Sequence, residues 1–173
     1  MRNRLLAALP AFLLAFTART ASAQTGGALQ LRWELVGDSM TNDGGSSRAA
    51  FTLTNRGPKP LPATGWTIYF SALHSAQPGT VGAGFDVQDV VADLHRIVPG
   101  AGFAGLAPGA SVRIEYRTDL LLNRSFAPSG PYVVFDAAKD VGVPLNDYVA
   151  APFERRQGVM TPDAQWKQTM AKR

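Results

Sequence analysis

Short runs in which every second side chain is apolar are the feature that most constrains this chain. Residues 29–36, 49–54, 66–70 and 111–117 all show this alternation, and proline- or glycine-rich stretches separate them. A period of two residues is typical of a strand that buries one face and exposes the other. The sequence therefore predicts an all-β chain. We expect residues 49–70 to form a strand, a proline-rich turn and a second strand, as in a hairpin.

Three further segments complete this strand pattern. The Asn-Asp-Gly-Gly sequence at residues 42–45 predicts a hairpin turn. Residues 85–98 predict two strands with a break between them, although a short helix is an alternative. Residues 131–136 are apolar on both faces, which favours a strand inside a sheet or one covered by a neighbour. About seven strands with little helix predict an immunoglobulin-like β-sandwich.

The two ends of the chain differ from this pattern. Arg2 and Arg4 precede an apolar run at residues 5–16, and Ala21, Ser22 and Ala23 then form a cleavage site of small residues. This order predicts a signal peptide at residues 1–23 and export to the periplasm or the extracellular space. No second apolar run is long enough to span a bilayer, so no membrane anchor is expected. Residues 24–136 are expected to form the sandwich, and residues 137–173 a proline-containing basic linker.

Composition excludes several functions. Residues 24–152 contain nine basic and eleven acidic side chains, so no basic surface for nucleic acid is expected. The absence of cysteine removes thiol catalysis and cysteine-bound zinc. Two acidic clusters leave a metal alternative open, but solvated acids explain both clusters as well, and no cofactor is expected. The clusters are Asp38 with Asn42 and Asp43, and Asp86, Asp89 and Asp93 with His95.

The order of motifs resembles the N-terminal domain of bacterial chitobiases and related β-N-acetylhexosaminidases. The resemblance covers about residues 29–136 and continues into Thr-Pro-Asp at 161–163. Its pieces are Leu-Arg-Trp at 31–33, Phe-Thr-Leu-Thr-Asn at 51–55, Leu-Pro-Ala-Thr-Gly-Trp at 61–66 with Tyr-Phe at 69–70, Ala-Gly-Phe at 101–103, Gly-Leu-Ala-Pro-Gly at 105–109, Ile-Glu-Tyr at 114–116, and Ala-Pro-Ser-Gly-Pro-Tyr at 127–132 before Phe-Asp at 135–136.

This resemblance implies a β-sandwich that is similar in shape to bacterial cellulose-binding modules and has no catalytic residues. In the family, hydrolysis belongs to a separate (β/α)8 barrel with an adjacent Asp-Glu pair, and this sequence has no Asp-Glu dipeptide. No catalytic residue is therefore carried over. The chain is expected to be a free-standing accessory module or the N-terminal piece of a split or truncated hexosaminidase.

Aromatic side chains are the candidates for sugar binding, because their flat faces pack against the apolar face of a pyranose. Trp33, Trp66 and Tyr116 lie in phase with apolar neighbours and are expected in the core. Tyr69 is out of phase with its strand's core face and is the first candidate for a carbohydrate-binding residue. The weaker candidates are Phe126, Tyr132 and Tyr148. Trp166 is expected to dock against a partner or to remain mobile, and no row of three exposed aromatic residues is visible.

These observations lead to three functional hypotheses. The first is an exported, non-catalytic module that binds chitin-derived or other N-acetylglucosamine-containing glycans, including peptidoglycan fragments. The second is a structural domain that buttresses a separate hexosaminidase catalytic domain through residues 131–135 and the tail. The third is an enzyme in its own right, which would need Asp86, Asp89, Asp93 or His95 to form a site.

Overall fold

The computed structural model describes residues 28–41 and 44–151, which form two packed β-sheets. The strands are β1 Leu29–Thr41, β2 Gly44–Asn55, β3 Trp66–Ser71, β4 Phe85–Val91, β5 Leu94–Pro99, β6 Ser111–Thr118, β7 Ser129–Phe135, β8 Gly142–Pro144 and β9 Val149–Ala150. One sheet has the strand order β6-β2-β1-β9 and the other β4-β5-β3-β7-β8. This arrangement confirms the predicted β-sandwich.

The core lies between the two sheets and is built from the apolar positions of the alternating runs. Trp33 and Trp66 are each 1% exposed, and Tyr116 is 2% exposed, so the predictions for these three residues are confirmed. Both indole nitrogens have a hydrogen-bond acceptor: the Trp33 Nε1–H donates to the Tyr116 hydroxyl at 2.9 Å, and the Trp66 Nε1–H donates to the Pro62 carbonyl at 2.8 Å. The large aromatic residues are therefore buried without an unpaired donor.

The expected hairpin over residues 49–70 is wrong. Strand β2 lies between β1 and β6 in one sheet, whereas β3 lies between β5 and β7 in the other. The loop from residue 56 to residue 65 thus crosses from one sheet to the other. The buried side chain of Asn55 holds the start of this crossing, because its Nδ2 donates to the carbonyls of Lys59 and Leu106 and its Oδ1 accepts from the Gly57 amide.

Residues 85–98 form a hairpin of β4 and β5, which confirms the two-strand prediction and rules out the short helix. Ala92 occupies the turn with a φ of 49°. In β5, His95 and Ile97 are buried, whereas Leu94, Arg96 and Val98 are half-exposed, which is the alternation of a strand. Strands β1 and β2 also pair as a hairpin, and residues 42–43 of its turn lie outside the described part of the chain.

The sandwich continues beyond residue 136, where the sequence predicted a linker to begin. Strand β8 pairs with β7, and β9 runs parallel to β1. Between them Leu145 is only 2% exposed and belongs to the core. Prolines in this segment suggested a linker, but Pro144 ends an edge strand, where proline is tolerated. The predicted signal peptide and residues 152–173 lie outside the described residues, among which no helix is long and apolar enough to cross a membrane.

Candidate functional site

A line of side chains crosses the outer face of the sheet that contains β3. Ile68 and Phe70 are buried, so Tyr69 between them faces outward. The strand registers place Tyr69 directly opposite Arg96 on one side and Tyr132 on the other. Gln88 lies opposite Arg96, and Pro144 lies opposite Tyr132, so the line reaches both edges of the sheet. We call this set the transverse row; its members, in order, are Gln88, Arg96, Tyr69, Tyr132 and Pro144.

Tyr69 and Tyr132 form a stacked pair at the centre of the transverse row. Their ring centroids are 5.2 Å apart and their ring planes differ by 12°. Directly opposed residues on neighbouring strands have Cβ atoms about 5 Å apart, so the two rings stand side by side. Neither hydroxyl has a hydrogen bond to another described residue. The pair therefore presents its outer edges and two free hydroxyl groups to solvent.

Tyr132 is supported from its other side by the backbone of β8. A Cβ atom added at Gly142 would lie 2.9 Å from Cδ2 of Tyr132, so only glycine lets the ring lie against this strand. Beyond the ring is an open depression of about 510 Å³, which we call the edge depression. It is lined by Gly130, Pro131, Tyr132, Gly142, Pro144, Leu145, Asn146 and Tyr148.

Tyr148 shapes the edge depression through its hydroxyl, which donates to the Pro128 carbonyl at 2.6 Å. Burial raises the pKa of Tyr148 above its ordinary value, so the phenol keeps its proton and stays a donor. The structure thus brings Tyr69, Tyr132 and Tyr148 to one region. Phe126 is half-buried and packs against the core, and it belongs neither to the transverse row nor to the edge depression.

Arg96 supplies the polar half of the transverse row. Its Nε–H donates to Gln88 Oε1 at 2.8 Å, and Gln88 Nε2 donates to Asp86 Oδ2 at 2.7 Å. The sequence reasoning missed Arg96 and Gln88 as site residues. The alternation in residues 94–98 places Arg96 on the outer face, but only the strand register brings it beside Tyr69.

The acidic cluster of β4 and β5 does not converge on one point. Asp86 faces Gln88, whereas Asp89 Oδ1 lies 2.8 Å from His95 Nδ1. Asp93 accepts a hydrogen bond from the Ser71 hydroxyl at 2.6 Å, and this bond lowers the pKa of Asp93. Within the described residues, no group of three His, Cys, Asp or Glu side chains could hold a metal ion. In the other acidic cluster, which the sequence suggested at Asp38, Asn42 and Asp43, the Asp38 carboxylate accepts a hydrogen bond from the Ser47 hydroxyl.

The comparisons with known proteins agree with this architecture. Residues 34–171 match the CHB_HEX family model, described as "Putative carbohydrate binding domain". No curated protein sequence matches the chain.

Among solved structures, the chain is similar to the Vibrio harveyi GH20 exo-β-N-acetylglucosaminidase in complex with N-acetylglucosamine. The sequence identity is 16%, the TM-score is 0.55, and the match covers 75% of this chain and 19% of the enzyme. An inactive mutant of that enzyme gives a TM-score of 0.54 with the same identity and coverage. The chitin-binding domain of Chi18aC from Streptomyces coelicolor matches at 17% identity over 66% of this chain and 97% of that domain, with a TM-score of 0.45. The chain thus spans about a fifth of the length of the Vibrio enzyme.

Proposed function

This chain belongs to the CHB_HEX family of carbohydrate-binding domains, and from that premise we propose that it is a non-catalytic module for chitin-derived or other N-acetylglucosamine-containing glycans. Peptidoglycan strands are included in this class. We propose further that the module is exported, with cleavage near Ala23, and acts in the periplasm or outside the cell. In this role it holds a glycan, or an enzyme that acts on the glycan, without cleaving it.

The transverse row is the observation that carries the proposal. A sugar site needs exposed apolar ring surface to contact the C–H groups of a pyranose and a few directed polar groups to hold its hydroxyls. Tyr69 and Tyr132 supply both, because their rings are adjacent and their hydroxyls are uncommitted within the described chain. Arg96 adds hydrogen-bond donors next to Tyr69. The row crosses five strands at about 4.8 Å each, a length that accommodates several linked sugars.

The arrangement of carboxylates supports a binding role rather than hydrolysis. Glycosidases place carboxyl groups on the two sides of the bond that they cleave. Asp86, the carboxylate nearest the transverse row by hydrogen bonding, orients Gln88 at one end of it. The proposed ligand therefore contacts aromatic rings and neutral hydroxyl groups at Tyr69 and Tyr132, the positions that two catalytic carboxyl groups would occupy in a glycosidase.

The test is a binding assay with residues 24–173 on insoluble chitin and on purified peptidoglycan. The variants Tyr69→Ala and Tyr132→Ala each remove one ring of the stacked pair. We expect each to weaken retention about two- to tenfold, as the loss of a single aromatic contact would. Thr67→Ala is the matched control, because Thr67 faces the same side of β3 two positions away and lies outside the transverse row.

Unfolding curves should show that the variants remain folded, so that lost retention reports the site. Retention that neither tyrosine variant reduces would reject the transverse row as the site. No retention of the unmodified chain on either polymer would reject the glycan-binding proposal itself.

A second candidate function is the buttressing of a hexosaminidase catalytic domain. Pro131 and Val133, from the segment first expected to make this contact, are buried inside the sandwich. A different surface favours the idea, which we call the apolar corner and define by Leu73 and Val91. These two side chains are 70% and 67% exposed. Their segments are joined by a hydrogen bond from the Ala72 amide to the Asp93 carbonyl. If this apolar corner docks a catalytic domain, Leu73→Asp with Val91→Asp should abolish co-purification with that domain and leave glycan retention unchanged.

A further inference from the structure

The guanidinium of Arg96 is oriented from one side without being neutralised. Its Nε–H donates to the neutral amide oxygen of Gln88, and the amide nitrogen of Gln88 donates to Asp86. The carboxylate therefore determines which way the Gln88 amide points, and the amide determines where the guanidinium lies. Arg96 takes part in none of the ion pairs formed within the described residues.

Most of the N–H donors of Arg96 have no partner among the described residues. A guanidinium has five N–H donors in a planar fork and carries a positive charge. Only Nε has a hydrogen bond to another described residue, so the terminal nitrogens are available. Because Arg96 lies directly opposite Tyr69, a sugar that contacts the Tyr69 ring brings its substituents to these donors.

The chemistry of Arg96 distinguishes two closely related sugars. The acetamido group of N-acetylglucosamine presents a carbonyl oxygen, which accepts a hydrogen bond from a cationic donor. A deacetylated unit presents an ammonium group instead, which has no acceptor and is repelled by the guanidinium. The two ligands otherwise offer the same ring and hydroxyls to the stacked tyrosines.

Asp86 and Asp93 are the carboxylates that could reverse this preference, since a carboxylate attracts an ammonium. Asp93 accepts a hydrogen bond from Ser71, which lies on the same face of β3 as Tyr69, two residues or about 7 Å along the strand. Arg96 is on the strand next to Tyr69, about 5 Å away, whereas Asp86 is on β4, two strands and about 10 Å away. At physiological salt a distance of about 10 Å exceeds the Debye length, and Coulomb energy also falls with distance. Arg96, directly opposite Tyr69, is therefore the nearest of these three charged groups to the Tyr69 ring.

We propose that Arg96 makes the transverse row selective for N-acetylated over deacetylated β-linked glucosamine chains, with Gln88 as its positioning residue. This inference rests on the proposed glycan-binding function. In this inference the stacked tyrosines provide affinity for either sugar, and Arg96 provides the preference for the acetamido group over the ammonium group.

The test uses residues 24–173 in calorimetric titrations with two probes of equal length: a chitin oligosaccharide and its fully deacetylated counterpart, at a pH where the amines are protonated. We expect the unmodified chain to bind the acetylated probe at least about tenfold more tightly, as one charge-assisted hydrogen bond allows. In Arg96→Gln this ratio should fall toward one, through weaker binding of the acetylated probe and stronger binding of the amine. Arg32→Gln, an exposed arginine on the other sheet, is the control and should keep the ratio.

Gln88 is tested through the same ratio. Gln88→Glu places a carboxylate against Arg96 and should lower the acetyl preference, while Gln88→Asn should retain more of it than Gln88→Ala. Equal affinity of the unmodified chain for both probes, or a preference for the amine, would overturn the inference and leave glycan binding intact. An Arg96→Gln variant that loses both probes equally would also overturn it. Binding of neither probe by the unmodified chain would instead reject the proposed function.

Discussion

The imidazole of His74 lies parallel to the phenol ring of Tyr116, with ring centroids 5.9 Å apart and Nε2 3.0 Å from the hydroxyl. The same hydroxyl accepts the Trp33 Nε1–H at 2.9 Å. The other ring nitrogen of His74, Nδ1, is buried without a hydrogen-bond partner in the described structure. Burial, with a smaller effect from nearby His95, lowers the pKa of His74 to about 4.

The first prediction is that acid destabilises the domain through His74. The unfolded chain has an ordinary histidine pKa of about 6.5, so between that pH and about 4 the unfolded state binds more protons and stability falls as pH falls. The loss reaches at most about 3 kcal/mol near pH 4. Urea unfolding of the native chain and of His74→Gln, from pH 4 to 7.5, measures it. The glutamine keeps an amide that can hydrogen-bond to the Tyr116 hydroxyl but does not titrate, so parallel curves for the two proteins would contradict the prediction.

The second prediction concerns the crossing between the sheets. Asn55→Asp should lower the free energy of unfolding by about 2–4 kcal/mol, because a carboxylate cannot donate to the Lys59 and Leu106 carbonyls. Denaturant unfolding at pH 7 checks this. Asn123→Asp is the matched control: Asn123 Oδ1 accepts from the Ser125 amide, a bond that aspartate keeps, and the residue is exposed. Similar losses in both variants would show that the donors of Asn55 are not what holds the crossing.

The third prediction separates backbone conformation from steric fit at two glycines with the same φ of 73°, Gly79 and Gly84. A Cβ at Gly84 would lie 2.5 Å from the carbonyl carbon of Gly102, whereas a Cβ at Gly79 would meet nothing within 4 Å. Gly79→Ala should therefore lower stability by about 1–2 kcal/mol from its positive φ alone. Gly84→Ala should lower it clearly further, because the backbone at Gly102 must move. Equal thermal unfolding temperatures for the two variants would refute the steric contribution.

The fourth prediction concerns Arg48 and Arg117, which are directly opposite each other on β2 and β6 and are both exposed. Like charges in this position destabilise a sheet, so Arg117→Gln should raise stability by about 0.2–1 kcal/mol at low salt. The gain should shrink in about 1 M salt, where charges are screened within a few ångströms. Arg113→Gln is the contrast, because Arg113 pairs with Glu34 and Glu115 and its loss should lower stability. A gain for Arg117→Gln that salt does not change would argue against a charge effect.

Much of the domain could be predicted because burial alternates along single strands. The phase of residues 29–36 and 66–70 was enough to place Trp33 and Trp66 in the core and Tyr69 outside it. Residues 85–98 were ambiguous between two strands and a short helix, and only the pairing of β4 with β5 decided for the strands. The same local reasoning failed at residues 137–151, where prolines suggested a linker and the chain instead adds an edge strand to each sheet.

The sequence by itself determined which side chains of each strand face the core, because that choice depends on a period of two and on neighbours within one strand. Only the tertiary structure decided which strands pair. It assigned β2 and β3 to different sheets and set Arg96, Tyr69 and Tyr132 in one line. Register is the outcome of contacts between residues far apart in the chain, and no local pattern encodes it. The Tyr132 ring against Gly142 shows the same limit, since a glycine ten residues away matters only after β7 and β8 have paired.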